Sequence, residues 1–172
     1  MHSYGKDRRE ALLSNNKMNN QGRNMLYLED IQVGDRFHSR EYEMTLDEIL
    51  EFAQKFDPQP FHLNAEQAQE HPIFQGLAAS GWHTCAVVMR LWSECMPIAY
   101  GLVGSGSDVH WPRPTRPNDK IRVEVVIDSI TPSRSKNDRA IVSYTTKAFN
   151  QNDEVVLNSE TKIIVFKREN LV

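Results

Sequence analysis

Phe56-Asp57-Pro58-Gln59-Pro60-Phe61-His62-Leu63-Asn64 is the stretch from which both the fold and the chemistry of this chain are read. Asp57 and Gln59 each precede a proline, and a residue before proline is driven out of helical geometry toward an extended one. The segment is therefore expected to be a stiff, irregular loop that stops the preceding helix. It confines one carboxylate and one imidazole within a few residues. A pre-oriented acid and base need not lose entropy to reach a reactive geometry, which suits general acid–base chemistry. An Asp-Pro pair after a helix is also an ordinary cap or turn, and spacing alone leaves both readings open.

Immediately upstream, Thr45-Leu46-Asp47-Glu48 has the form of a capping box: the threonine oxygen takes an orphan amide while Glu48 reaches back. Leu46, Ile49, Leu50, Ala53 and Phe56 then fall at helical spacing and form one apolar stripe. The helix so defined ends as the Asp57 loop begins, so its packing sets where the carboxylate lies. Before it, Tyr27 to Asp35 opens the globular part, with a turn at Val33-Gly34-Asp35 and a strand expected over Arg36 to Met44.

Downstream, Ala65 to Glu70 reads as a short polar helix stopped near His71-Pro72. From Leu77 to Cys95 the chain is apolar on most faces, the pattern of a fully buried helix. Gly76, Ala78, Ala79, Ser80 and Gly81 at its start permit close backbone approach and leave amides where negative charge is favoured. Gly101 to Asp108 is rich in glycine and serine, but the extended Val109-His110-Trp111-Pro112 follows where a phosphate loop requires a helix. A strand whose glycines let a ligand pass close is the better reading. After a proline-punctuated bend over residues 113–119, strands are expected over Ile121 to Ile127, Ile141 to Phe149 and Val155 to Phe166. Turns are expected at Thr131-Pro132-Ser133 and at Asn150 to Asp153. Helices first and long antiparallel strands second make an α+β class.

Asp57-Pro58-Gln59-Pro60-Phe61-His62 resembles the D-x-N-P-x-H signature of the MaoC-like dehydratases, the R-specific enoyl-CoA hydratases. Asp57, Pro60 and His62 match; Gln59 stands where the family carries Asn. The similarity runs from about Tyr27 to about Phe166. It implies a single hot-dog domain over residues 25–168, an antiparallel sheet wrapped around a long buried central helix. Residues 1–24 are read as a mobile polar tail and residues 169–172 as a short C-terminal tail. The implied reaction adds water to a trans-2-enoyl thioester, or removes it from an (R)-3-hydroxyacyl thioester. Asp57 and His62 are the expected catalytic pair, with Asp57 as base toward water and His62 holding the water and supplying the second proton. By the same resemblance Gly106 supplies an oxyanion-hole amide and Thr84 lies near the catalytic water. A strand glycine and a core hydroxyl bonded to its own helix are the plainer roles for these two.

Composition narrows the alternatives. The chain has 172 residues, 40% hydrophobic and 25% charged, with a net charge of −3. That is one domain with a single core and no basic excess for nucleic acid. No apolar run is long enough to span a membrane, and the N-terminus lacks the apolar centre of an export signal. Cys85 and Cys95 lie in one expected helix at a separation unsuited to a bridge, so a reducing cytoplasm is the expected location. His71, His83 and His110 have no metal-site companions, and neither a metal nor a resident cofactor is expected. The thioester carrier, coenzyme A or an acyl carrier protein, enters as substrate. Arg113, Arg116, Arg134, Lys136 and Arg139 suit its phosphates, although surface charge is the commoner role for such residues. A thioesterase and a non-catalytic acyl-thioester-binding protein are the competing readings. A lone hot-dog unit leaves a sheet edge open, and the resemblance implies a homodimer or higher homo-oligomer.

Overall fold

The structure, a computed structural model, describes residues 25–168. The expected tails at 1–24 and 169–172 lie outside the described residues. After a 3-10 turn at Leu28–Asp30, two short strands, β1 (Arg36–His38) and β2 (Tyr42–Glu43), lead into helix α1 (Leu46–Phe56). Three further helices follow: α2 (Pro60–Leu63), α3 (Ala65–Glu70) and α4 (Gly81–Cys95). The remainder is strand: β3 (Val103–His110), β4 (Lys120–Pro132), β5 (Arg139–Phe149) and β6 (Val155–Phe166). Every strand pairing is antiparallel, in the order β1-β4-β5-β6-β3, with β2 also on β4.

The capping box at Thr45 forms: its Oγ1 accepts from the Glu48 amide at 3.3 Å, and Glu48 takes the Thr45 amide at 3.4 Å. Of the apolar stripe that follows, Ile49 and Ala53 are fully buried, while Leu46 and Phe56 at its ends stay exposed.

Alternation in β4 sends Ile121, Val123, Val125 and Ile127 to one face, and each is buried. Against that face lies α4. Val87, Val88 and Leu91 pack with Ile121, Val123 and Leu157. Trp92 packs with Val125, Ile127 and Val142, its ring stacked on Tyr144 at 5.1 Å.

The structure corrects the expected central helix in two respects. It starts at Gly81 instead of Leu77, because Ser80 caps it by accepting the Trp82 amide at 3.2 Å. It is also buried along one side only. Trp82 and Met89 face outward, 65% and 51% exposed, so apolar residues on most faces do not here mean burial on most faces. The strand expected over residues 36–44 is split into β1 and β2. At the break the Ser39 hydroxyl takes the Val123 amide at 2.9 Å, and Arg40 swings out to Glu94 at 2.8 Å. The turn expected at Thr131-Pro132-Ser133 falls later, since β4 continues to Pro132, paired with Ala140.

Candidate active site

The Asp57 loop is built as its prolines require. The Asp57 amide closes α1 on the Ala53 carbonyl at 3.0 Å, and Asp57 itself leaves the helical region (φ −150°, ψ 67°). Gln59 is extended (φ −85°, ψ 144°). Pro60 does more than interrupt. It occupies the first position of α2, where its missing N–H costs nothing and its fixed φ suits a helix. The loop thus turns at once into a single helical turn that carries His62 inward, leaving it 4% exposed.

These constraints bring the two side chains together. His62 Nε2 lies 3.3 Å from Asp57 Oδ2. The other ring nitrogen, Nδ1, is 2.7 Å from the carbonyl oxygen of Ala78. A carbonyl only accepts, so Nδ1 carries a proton and Nε2 is the nitrogen turned toward the carboxylate. The second oxygen of Asp57 accepts from the Gln59 side-chain amide at 2.8 Å. Burial pushes the Asp57 carboxyl up. Hydrogen bonds from the Ser80 hydroxyl and Gln59, with the neighbouring His62, outweigh it and hold the group below the usual carboxylate range.

The position where the family signature carries Asn therefore has a defined contact here. Gln59→Ala removes one of the donors that favour the ionised carboxylate, so the Asp57 pKa should rise. The acid limb of kcat/KM, followed as a pH–rate profile, is expected to move to higher pH than in the wild type. The linked stability has the matching sign. With its folded pKa depressed, Asp57 contributes stability that is present above its unfolded value and lost as pH falls through the folded one. The variant should lose less stability over that interval.

The pair opens on a cavity of about 450 Å³. Phe61, Ile73, Phe74, Trp82, Trp111 and Pro112 give it an apolar wall, while Asp57, Gln59, His62 and Thr84 supply polar groups. Gly81, the first residue of α4, also faces it, and an amide at that position has no acceptor within its own helix. Thr84 is 1% exposed; its hydroxyl donates to the Ser80 carbonyl at 3.3 Å and lies 3.0 Å from the Thr115 hydroxyl. The plainer role expected for Thr84, a hydroxyl bonded to its own helix, is thus present together with a place at the cavity.

Gly106 is not brought to this cavity within one chain. It lies on β3 opposite Lys162 of β6, beside an irregularity in the pairing, with φ +159°. It lines a separate hollow with Ser105, Asp108, Tyr144 and Lys162. The hydrogen-bonded register on β6 keeps it there, so the oxyanion role expected for it has no support from the geometry of a single chain. Trp82 lines the Asp57 cavity, whereas Met89 and Trp92 line a smaller hollow of about 80 Å³ under the sheet.

Sequence reasoning missed Ser80 and the Ala78 carbonyl as partners of the pair. A serine just ahead of an apolar run is a legible cap signal. A main-chain carbonyl acting as a histidine acceptor leaves no trace in sequence. Among the described residues, no group of three or more His, Cys, Asp and Glu side chains is placed to hold a metal ion. No helix among them is long and apolar enough to cross a membrane.

A family model described as "MaoC like domain" matches residues 30–148, more than half of the chain. The chain belongs to the MaoC-like domain family. A crystal structure of the MaoC-like dehydratase from Rhodospirillum rubrum is similar to it, with a TM-score of 0.80 at 50% identity, covering 83% of this chain and 98% of that one. The R-hydratase PhaJ1 from Pseudomonas aeruginosa shares the fold, with a TM-score of 0.67 at 21% identity, over 84% of this chain and 88% of that one. Among curated proteins, the uncharacterized protein YdeM of Bacillus subtilis is 26% identical over 140 residues, which is 80% of this chain and 97% of that protein. The MaoC-like domain here is thus a hot-dog fold of the α+β class, with α4 as its central helix.

Proposed function

We propose that this MaoC-like protein is a hydratase or dehydratase of enoyl thioesters, interconverting a trans-2-enoyl thioester and the (R)-3-hydroxyacyl thioester. Family membership and the 50% identity to a MaoC-like dehydratase support the broader reaction class. The observation that carries the finer reading is the pairing of Asp57 Oδ2 with His62 Nε2 at 3.3 Å, at the wall of a largely apolar cavity.

In this reading the Asp57 carboxylate, kept ionised by Ser80 and Gln59, takes a proton from a water that contacts both it and His62. The hydroxide equivalent bonds to C3 as the C2–C3 double bond opens, and charge moves onto the thioester oxygen. His62, which enters the step with a proton on Nε2 as well as on Nδ1, delivers the Nε2 proton to C2. The proton held by Asp57 then crosses the short gap to Nε2 and restores the pair, so one water is consumed and no proton is left over. Negative charge on the thioester oxygen is favoured near the first amides of a helix, and the start of α4 at Gly81 faces the same cavity. Coenzyme A or an acyl carrier protein is the substrate's carrier, and no resident cofactor takes part. A homodimer belongs to the same reading. It is supported by the open edge of β3 and by Trp82 and Met89, left exposed on α4.

Incubation of the purified protein with crotonyl-CoA tests it. Hydration is expected to remove the conjugated-enone absorbance without release of free thiol. Thiol release would establish a thioesterase instead, and binding without either change a non-catalytic acyl-thioester-binding protein.

A further inference from the structure

The bend over residues 113–119 supplies no reacting group in the proposed chemistry, yet it grips the loop behind His62. The guanidinium of Arg116 is half-buried and points at main-chain oxygens. It donates from Nη1 to the carbonyl of Gly76 at 2.6 Å and to that of Leu77 at 3.2 Å, and from Nη2 to the carbonyl of Phe74. A planar fork with several fixed donors can hold carbonyls that diverge in direction, which a lysine ammonium cannot do with the same geometry.

The held segment runs directly into Ala78, whose carbonyl accepts from His62 Nδ1. Both peptide groups flanking Ala78 are pinned at each end. In the group before it, the Leu77 carbonyl is held by Arg116 and the Ala78 amide donates to the Phe61 carbonyl at 3.2 Å. In the group after it, the Ala78 carbonyl is held by His62 and the Ala79 amide donates to the Thr115 carbonyl at 2.8 Å. Two adjacent residues of one bend, Thr115 and Arg116, therefore fix the direction of the carbonyl that accepts from His62 Nδ1 and so orients the ring. The bend is itself braced: buried Asp119 accepts from the Arg116 amide at 2.7 Å and from the Gln151 side chain at 3.0 Å. The fit at the guanidinium is close. A Cβ at Gly76, where φ is +145°, would lie 3.3 Å from Arg116 Nη1.

We propose that Arg116 is a positioning residue for His62: by clamping the Phe74, Gly76 and Leu77 carbonyls it aims the Ala78 carbonyl at Nδ1, and so keeps Nε2 turned toward Asp57. The inference rests on the hydratase reading for its catalytic consequence, but the ring orientation it describes is independent of that reading. Arg116 touches neither the water nor the acyl group in this account. Its side chain acts through the loop.

The test uses Arg116→Ala and Arg116→Gln in the full chain, with thermal unfolding selecting whichever variant folds. Two quantities are read. One is the kcat and KM split for crotonyl-CoA hydration; the other is the NMR signal of the His62 Nδ1 proton, assigned by its disappearance in His62→Ala. A misdirected imidazole should lower kcat by about 10²-fold while KM stays within a few-fold. The slowly exchanging Nδ1 proton signal of the wild type should be lost or broadened. A folded variant that keeps both the wild-type resonance and the wild-type kcat overturns the proposal. So does one in which KM alone rises, because that would make Arg116 a substrate contact. Should the wild type fail to hydrate crotonyl-CoA, the hydratase reading falls and the NMR arm still decides the role of Arg116.

Discussion

Asp57→Asn is expected to lower kcat for enoyl-thioester hydration by about 10²- to 10⁴-fold, with KM changed little. The substitution keeps the shape of the side chain and removes the only atom in the account that accepts the water proton. His62→Ala should fall in the same range for a different reason, since it removes the Nε2 group that faces Asp57 at 3.3 Å. In the proposed step the two act on one water, so the double variant is expected to be little slower than the worse single one. Steady-state kinetics of the three variants with crotonyl-CoA provide the check. Near-wild-type rates in either single variant would remove that residue from the mechanism.

The largest effect on stability is expected from Leu91→Ala. Leu91 is fully buried in the middle of α4, in the cluster with Val87, Ile121, Val123 and Leu157. Truncation removes the transfer free energy of the lost carbons and leaves a cavity between helix and sheet that neither can easily collapse to fill. A loss of about 2–5 kcal/mol is expected, read as a lower midpoint in urea with an unchanged slope. The same truncation at Met89, which faces outward on the same helix, should cost far less in the isolated chain.

How much of this was legible in sequence depended on how locally each feature is made. Helix α1 was readable because its capping box and its apolar spacing lie within a dozen or so neighbouring residues. The meeting of Asp57 and His62 was readable for the same reason: two prolines restrict the few bonds that separate them. Features assembled from distant segments were not. Ala78, Ser80 and Thr115 join the site through hydrogen bonds that no local pattern encodes. The pairing of β3 on β6 decides where the amide of Gly106 lies, and register between strands far apart in sequence is not a local property. The outward face of α4 is not legible in sequence, because apolar content shows which residues prefer burial and not which of them a single chain can cover.

In the proposed reaction Asp57 and His62 present one water to the double bond of an enoyl thioester. The structure of the Asp57→Asn protein bound to crotonyl-CoA tests it most directly. The acyl group is expected in the cavity beside Trp82 and Trp111, with C3 about 3–3.5 Å from a water that contacts both residue 57 and His62 Nε2. An acyl group seated elsewhere, or one whose double bond has no water in contact with those two side chains, would contradict it.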